Sequence, residues 1–331
     1  MVKAVFTTAH SLLLLLLFIH DSNMADNDTF VTRKDRPYIM GLSIIAVILF
    51  HLVNFTNAYR GTSISIFLNG YLGVDAFFVL STFGLCFSFE KNDILTFYKH
   101  RIKRLFPLYV IFLLAVYFIF HPGPSLLHII IYQCSGLSVI RSLYTDVEWY
   151  TPSIICVYLL FPLLYYGGRA IQHRSIWWQL LAVNLIAVLG HAIAPYVSFG
   201  YNFVGRFPII VSGVILYFLY KNKRNQDALI YTTALLLETI ALDLSFFLSM
   251  LVLLLLFIFK YIKPRPLYKY ISYIGKYSFE LYLAQTISTY YYMQVSPIQN
   301  NYLMVLSAIL LTIPIFFIFI AIYKYSSRLF K

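Results

Sequence analysis

Two ionisable side chains lie inside the first two apolar stretches of the chain that are long enough to cross a membrane. His51 lies beyond the middle of the stretch 38–56, and Asp75 lies within the stretch 66–89. Ionisable side chains are costly in hydrocarbon and commonly mark the place where chemistry or transport occurs. In an antiparallel hairpin, Asp75 could fix the tautomer of the His51 imidazole and raise its basicity. Asn54 shares the helix face of His51. The alternative is a purely structural hydrogen bond that ties the two helices together.

A dense basic run at 97–107 directly precedes the third apolar stretch. It contains Arg101, Lys103 and Arg104, and it ends at Pro107. Because proline suits the first turn of a helix, the cluster would lie at the positive end of a helix dipole. Guanidinium groups and free backbone N–H groups at such a place bind phosphate. A juxtamembrane patch that binds anionic lipid is an equally good interpretation of these residues alone.

The composition defines the class of protein. Apolar residues make up 60% of the 331 residues and charged residues only 11%, which excludes an ordinary soluble domain. Apolar windows of about 17–25 residues indicate membrane-spanning helices. We therefore expect an all-α polytopic membrane protein, a bundle of about ten transmembrane helices. The windows lie at 38–56, 66–89, 106–121, 149–166, 177–194, 207–220, 228–242, 244–262, 272–293 and 302–324.

The distribution of Lys and Arg predicts the orientation of the bundle. If the basic residues at 33–36 are cytoplasmic, these spans leave only Arg60, Arg141 and Arg206 on the outer side among the basic residues that follow. Cytoplasmic loops of membrane proteins are enriched in Lys and Arg, so we expect both ends of the bundle in the cytoplasm. The net charge of +12 is then a topology signal beside anionic lipids, and no nucleic-acid partner is expected.

The N-terminal segment needs a separate interpretation. Its apolar run at 11–19 is typical of a signal-peptide core but is short for a membrane span. Cleavage or insertion of this run would place the basic residues at 33–36 outside, against the bias of every later loop. We expect 1–23 to be dispensable or wrongly included, with translation starting at Met24, or to lie on the membrane surface. Residues 24–331 would form a single membrane-embedded domain.

Metal, nucleotide and redox chemistry have little support in the sequence. Cys86, Cys134 and Cys156 lack metal-ligand spacing, and two of them fall inside predicted spans. The sequence contains no Walker loop, no GxGxxG pattern and no HExxH pattern. We therefore expect no metal site and no bound cofactor.

Five motifs follow one another along residues 38 to 324, and together they resemble the integral-membrane acyltransferase-3 family. They are GYLGVDAFFVLSTF at 70–83 with His51 upstream, Arg101 and Arg104 before Pro107, Trp149 followed by Tyr158 and Pro162, RFPIIVSG at 206–213, and IGKYSFELYL at 274–283.

The resemblance implies an enzyme that transfers an acyl group, usually acetyl, from cytoplasmic acyl-CoA to a hydroxyl group of a cell-surface polysaccharide or lipid-linked sugar. Acetyl-CoA is the expected donor substrate, and the bacterial plasma (inner) membrane is the expected location. Membrane lipids are expected partners, and a glycan-assembly machinery could be another. The expected biological role is polysaccharide biosynthesis in the cell envelope.

The resemblance also implies roles for individual residues. His51, oriented by Asp75, would deprotonate the acceptor hydroxyl or carry the acyl group itself. The CoA phosphates would be held by Arg101, Lys103 and Arg104. The expected acceptor-binding residues are Trp149, Glu148, Arg206 and Asn54, although Arg206 could equally be an interface anchor. The other buried polar residues expected at the site are Ser81, Tyr158, Ser278, Glu280 and Tyr282.

Three features of the chain depart from the family's pattern. Met40 stands where the family usually has an arginine upstream of the histidine, and Arg36 lies one turn away. Two isoleucines, at 154–155, stand in place of a pair of glutamates that many members carry. Gln285 stands in place of the histidine that ends the last motif.

The departures leave other interpretations open. Lys276 and Glu280 are spaced i,i+4 and could form a neutralised structural pair, or Glu280 could supply a buried carboxylate to the site. A catalytically inactive homologue that acts as a scaffold is one alternative function. An exporter of polysaccharide or lipid-linked glycan without chemistry is another, and it predicts inverted repeats that the sequence does not show.

Overall fold

The computed structural model describes residues 35–55, 63–120, 123–141, 148–198, 200–242, 267–294 and 301–329. All regular secondary structure within these ranges is helical. In chain order the α-helices are α1 (Arg36–Phe55), α2 (Leu72–Lys91), α3 (Ile94–Phe120), α4 (Leu126–Cys134), α5 (Leu137–Ile140), α6 (Tyr150–Ile171), α7 (Ile176–Ile193), α8 (Gly200–Phe203), α9 (Phe207–Lys221), α10 (Asn225–Leu242), α11 (Tyr268–Lys276), α12 (Ser278–Gln294) and α13 (Asn301–Leu329). The 3-10 helices are Ser63–Tyr71 before α2, Ala194–Tyr196 after α7 and Val204–Arg206 before α9.

Seven of the described helices are long and apolar enough to cross a membrane, by length and composition. Each of them overlaps a window predicted from the sequence, so the structure describes a polytopic helical membrane protein. Helix α3 begins at Ile94, twelve residues before its window 106–121, so Pro107 and the basic run lie inside the helix, which corrects the prediction that they lie at its start. The seven segments are Arg36–Asn54, Phe67–Lys91, Ile94–Phe120, Tyr150–Ile171, Ile176–Tyr196, Val204–Lys221 and Leu303–Arg328.

The other three predicted windows are not among these seven. The window 244–262 lies outside the described residues. The window 228–242 lies within α10, whose polar first turn, beginning at Asn225, leaves the helix less apolar than the seven. The total of about ten spans and the placement of both termini in the cytoplasm therefore stay predictions.

The window 272–293 is divided into two helices, which corrects the prediction of one continuous span. Helix α11 ends at Lys276, Tyr277 leaves helical geometry with φ −114° and ψ 30°, and α12 starts at Ser278. The first half is held by packing against α1, a tertiary contact that hydropathy does not reveal.

Helix α2 lies at the centre of the bundle and α13 at its edge. Within its most apolar window, 72% of the α2 segment is buried inside the protein, and α2 packs against both α1 and α9. Only 22% of the α13 window is buried. Its exposed apolar side chains, among them Leu306, Leu310 and Phe317, form the kind of surface that contacts lipid tails. Residues at the start of α2 are thus enclosed by protein.

Glycines bring the backbones of α1 and α11 into direct contact. A Cβ atom added at Gly275 would overlap the Pro37 carbonyl oxygen and the Gly41 nitrogen, and one added at Gly41 would overlap the Ile271 carbonyl. Only a residue without a side chain permits such an approach between helices. The contact places Arg36, at the start of α1, beside the end of α11.

We predict that Gly275→Ala lowers the melting temperature of the detergent-solubilised protein. The added methyl group has no space, and overpacking of this kind costs about 1–3 kcal/mol. Gly167→Ala is the matched control, because a Cβ at Gly167 on α6 has no atom within 4 Å and alanine favours the helix. Equal melting curves for the two variants would contradict the close α1–α11 contact.

Candidate active site

A cavity of about 570 Å³ lies between α1, α2, α3, α6, α11 and α12. One end of it, which we call the basic end, is lined by Arg36, Arg101, Arg104 and Lys276. The remaining wall is mainly apolar and aromatic, with Val47, Val74, Phe77, Tyr150 and Tyr282 among its residues. The volume lies within the range of about 300–1,000 Å³ that is common for pockets that bind small molecules.

Arg104 is already neutralised by a carboxylate of the protein. Its Nη1 lies 2.7 Å from Glu280 Oε1 and its Nη2 lies 3.3 Å from Oε2, a two-pronged ion pair. The Glu280 side chain is fully buried, and the Arg104 Cζ lies 4.0 Å from the ring centroid of Tyr323. Glu280 is therefore paired across helices with Arg104, which corrects the expected i,i+4 pairing with Lys276.

Arg36 and Arg101 differ from Arg104 in their hydrogen bonding. The Nε atoms of both are buried, and neither has a hydrogen-bond partner in the part of the chain that the structure describes. The Arg101 guanidinium lies 5.1 Å from the centroid of Phe97 and 6.0 Å from that of Tyr158. Buried donors are normally satisfied in native proteins, so two unpaired guanidinium Nε atoms beside a cavity indicate a place for an anion.

Gly84 on α2 makes room for Arg36. A Cβ at this position would lie 3.0 Å from Nη1 and 3.2 Å from Nη2 of Arg36. Met40, where the family usually has an arginine, lines the same cavity one turn along α1. Arg36 thus supplies to the cavity the guanidinium group that Met40 lacks. Lys103, predicted with Arg101 and Arg104, is not among the cavity-lining residues.

His51 lies one helical turn beyond Val47, on the same face of α1. Its Nδ1 is 3.0 Å from Oε1 of Gln285 on α12. Gln285 was noted in the sequence only as a departure from the family, and its contact with His51 was not predicted. Asn54 lies in the next turn of α1 and is partly buried.

Asp75 is held by Arg206. Arg206 Nε donates to Asp75 Oδ1 at 2.8 Å, and the Asp75 side chain is fully buried. The sequence predicted Asp75 as the orienting partner of His51. In the structure, the Asp75 carboxylate pairs with Arg206 and the His51 imidazole contacts the Gln285 amide. A direct role of Asp75 on His51 stays a prediction.

Arg206 also meets Trp149, a second residue predicted at the acceptor. The guanidinium lies 5.3 Å from the Trp149 centroid and 5.9 Å from the Tyr71 centroid, and Nη1 donates to the Asn202 carbonyl at 2.9 Å. Cation–π contacts and the ion pair with Asp75 fix the side chain in place. This cluster lies at the start of α2, α6 and α9, and whether Arg206 binds an acceptor or anchors the protein at the interface stays a prediction.

Glu148 is hydrogen-bonded to a residue in the wall of the cavity. Its buried carboxylate accepts hydrogen bonds from Tyr109 Oη at 3.0 Å, Tyr282 Oη at 2.8 Å and Thr151 N at 2.7 Å. Burial raises the pKa of the Glu148 carboxyl, and the three hydrogen bonds act in the opposite direction. Since Tyr282 lines the cavity, Glu148 fixes a wall residue there. Tyr109 was not singled out in the sequence, where nothing distinguished it from the many other tyrosines.

The other buried polar residues expected at the site lie at this cavity or next to it. Ser81, Tyr158 and Ser278 are lining residues, as is Tyr282. Glu280 lies behind Arg104 as its partner. Trp149 and Arg206, which were predicted at the acceptor, form a separate cluster with Asp75.

These observations define a class of protein, a polytopic membrane protein with an arginine-lined cavity that approaches a partly buried histidine. A family model described as an acyltransferase domain, Acyl_transf_3, matches residues 38–324. The chain belongs to the acyltransferase-3 family, as the motifs in its sequence indicated.

Two curated relatives match parts of the chain. One is ORF330 of Acidianus two-tailed virus, which has the provisional name acetyltransferase and is 30% identical over 200 residues, 56% of this chain and 57% of the relative. The other is the acyltransferase MdmB of Streptomyces mycarofaciens, 28% identical over 163 residues, 43% of this chain and 42% of the relative. The chain thus spans about half the length of each relative. No solved structure gives a significant match to it.

Proposed function

We propose that the protein is a membrane O-acyltransferase that moves an acyl group, acetyl in the first instance, from acyl-CoA to a hydroxyl group of a cell-surface polysaccharide or lipid-linked sugar. The observation that carries the proposal is the cavity, with unpaired arginine donors at one end and His51 one turn beyond its wall. Membership of the acyltransferase-3 family supports acyl transfer as the reaction.

The donor would enter at the basic end, on the cytoplasmic side. Arg36 and Arg101 would donate to the phosphates of CoA, and the pair of Arg104 with Glu280 would shape the opening without competing for the anion. The uncharged pantetheine arm suits the mainly apolar wall, which continues to Val47. This arrangement would bring the thioester to the level of His51.

In the reaction, His51 would act as a general base. The imidazole would accept the proton of the acceptor hydroxyl while the hydroxyl oxygen forms a bond with the thioester carbonyl carbon. The carbon–sulfur bond would then break, and the departing CoA thiolate would take the proton back from the imidazolium. The products are an ester on the acceptor and free CoA thiol.

The acceptor would approach from the opposite end of the bundle. The Trp149 ring offers a surface on which a sugar ring can pack, and Arg206, held by Asp75, adds a fixed donor beside it. Asn54 lies between this end and His51 along α1. A polysaccharide or lipid-linked sugar outside the plasma membrane of a bacterium would suit an approach that offers an aromatic ring.

The proposal is tested by acyl transfer in membranes that contain the full-length protein, with labelled acetyl-CoA and the surface glycan of the host. We expect label on the glycan with the parent and a loss of about 100-fold or more with His51→Ala, because general base catalysis contributes about 10²–10⁴. His191→Ala is the control, since His191 is exposed on α7 and lies outside the site.

Failure of the parent to label any glycan, with the protein folded and glycan export lost in its absence, would overturn the enzyme proposal in favour of export without chemistry. Retention of CoA binding without transfer would instead indicate an inactive scaffold.

The basic end gives a separate prediction about the donor. Arg36→Ala and Arg101→Ala should each raise the KM for acetyl-CoA by about 10- to 100-fold, because a hydrogen bond to a charged group is worth about 1.5–3 kcal/mol. The kcat should change less. The exchange Arg36→Met with Met40→Arg should restore part of the loss, since both positions line the same cavity.

Lys103→Ala is the matched control for this measurement, because Lys103 is a neighbouring cation that does not line the cavity. An equal rise in KM for Lys103→Ala would show that general positive charge, and not the cavity, attracts the donor.

A further inference from the structure

The contact between His51 and Gln285 joins α1 to α12 just beyond the cavity. Val47, one turn before His51, and Tyr282, one turn before Gln285, both line the cavity. The two side chains therefore meet directly past its wall, with His51 Nδ1 3.0 Å from Gln285 Oε1. An amide and an imidazole in contact can bond in two ways, depending on the orientation of the amide and the tautomer of the ring.

Thr286 determines the orientation of the Gln285 amide. The Thr286 hydroxyl donates its one hydrogen to the Tyr282 carbonyl oxygen at 2.8 Å, so its lone pairs can only accept further bonds. Gln285 Nε2 lies 3.1 Å from that hydroxyl oxygen and donates to it. The amide nitrogen thus faces Thr286, and the amide oxygen faces His51.

The orientation of the amide in turn determines the tautomer of His51. Because Gln285 Oε1 has no hydrogen to donate, the bond to His51 requires a hydrogen on Nδ1. A neutral imidazole with its hydrogen on Nδ1 has its basic lone pair on Nε2. The same bond persists in the imidazolium, which carries hydrogens on both nitrogens, so the ring need not rotate when Nε2 gains or loses a proton.

The Gln285 amide, which is the partner of His51 Nδ1, carries no charge, and this affects which protonation state of the imidazole is favoured. In the described part of the chain, the titratable groups that neighbouring elements contribute beside the outer half of α1 are Tyr71, Asp75 and Tyr282. The ring of Tyr71 lies edge-on to that of Phe50. Asp75 is neutralised by Arg206, and Tyr282 donates to Glu148. An amide partner orients the imidazole without adding a negative charge that would stabilise the imidazolium.

We propose that Gln285 is a positioning residue that holds His51 in the tautomer with Nε2 as the base, and that Thr286 fixes the orientation of Gln285. The inference rests on the proposed function, because it specifies how His51 would be prepared to deprotonate the acceptor hydroxyl. It assigns this task to a Gln285–Thr286 relay on α12, while Asp75 binds Arg206.

The test compares Gln285→Leu, Gln285→Glu and Thr286→Val with the parent in the labelled acetyl-transfer assay across pH. Gln285→Leu removes the acceptor, and we expect kcat to fall by about 10- to 100-fold, part of the contribution of general base catalysis, with the KM for acetyl-CoA unchanged. Gln285→Glu keeps the acceptor but adds a charge that favours the imidazolium. The pH at which kcat reaches half its maximum should therefore move upward in this variant.

Thr286→Val leaves the amide free to turn over, so we expect a smaller loss of kcat, and Thr286→Ser should recover most of it. Ser288→Ala is the matched control: it removes a buried hydroxyl that donates to the Ala284 carbonyl on the same helix. This control should leave kcat and its pH profile unchanged. Melting curves of all variants separate catalytic effects from loss of folding.

The outcomes distinguish the inference from the function on which it rests. A parent that transfers no label would overturn the proposed function. A parent that transfers label, with folded Gln285→Leu and Gln285→Glu variants that keep the parental kcat and pH profile, would overturn the positioning role and leave the function intact.

Discussion

Charge pairing across helices is the constraint on which the arrangement of this bundle depends. A charge removed from water without a partner costs several kcal/mol, so buried ions in proteins are paired or bind ligands. Two arginine–carboxylate pairs satisfy this requirement here, Arg104 with Glu280 and Arg206 with Asp75, and both carboxylates are fully buried. The first joins α3 to α12, and the second joins α2 to the start of α9.

Arg36 and Arg101 differ from these two paired arginines. Their buried Nε atoms have no partner among the described residues, and both side chains line the cavity. The close α1–α11 contact at Gly275 and the space at Gly84 hold Arg36 in this position. The energetic cost of such groups is removed by an anion, which is why the cavity is better explained as a ligand site than as a packing defect.

The sequence predicted the membrane class and the seven described spans because length and apolarity are local properties that hydropathy measures directly. The break at Tyr277 could not be predicted in this way, since it depends on the packing of α11 against another helix. The total number of spans stays a prediction, because 228–242 is not among the seven and 244–262 lies outside the described residues. The family was recognisable because its motifs occur in order within the matched range.

The partners of the charged and polar residues were harder to predict than their importance. His51, Asp75, Arg206 and Glu280 were all singled out, but which side chains meet depends on the rotation of each helix about its axis. The contact of Asp75 with Arg206 joins residues 131 positions apart in the chain, and that of His51 with Gln285 joins residues 234 apart. In the sequence, Gln285 was noticeable only as a departure from the family's pattern. Arg36 was noticeable only because it lies one turn from Met40.

Photoaffinity labelling with an acyl-CoA that carries a photoreactive group at the end of a short acyl chain tests most directly whether the cavity leads the donor to His51. We expect mass spectrometry to find the label on α1 around Val47 and His51 or on α12 around Tyr282. We also expect that free CoA competes the label away and that Arg36→Ala reduces it. Labelling confined to the lipid-facing surface of α13, or labelling that free CoA does not reduce, would show that the cavity does not lead the donor to His51.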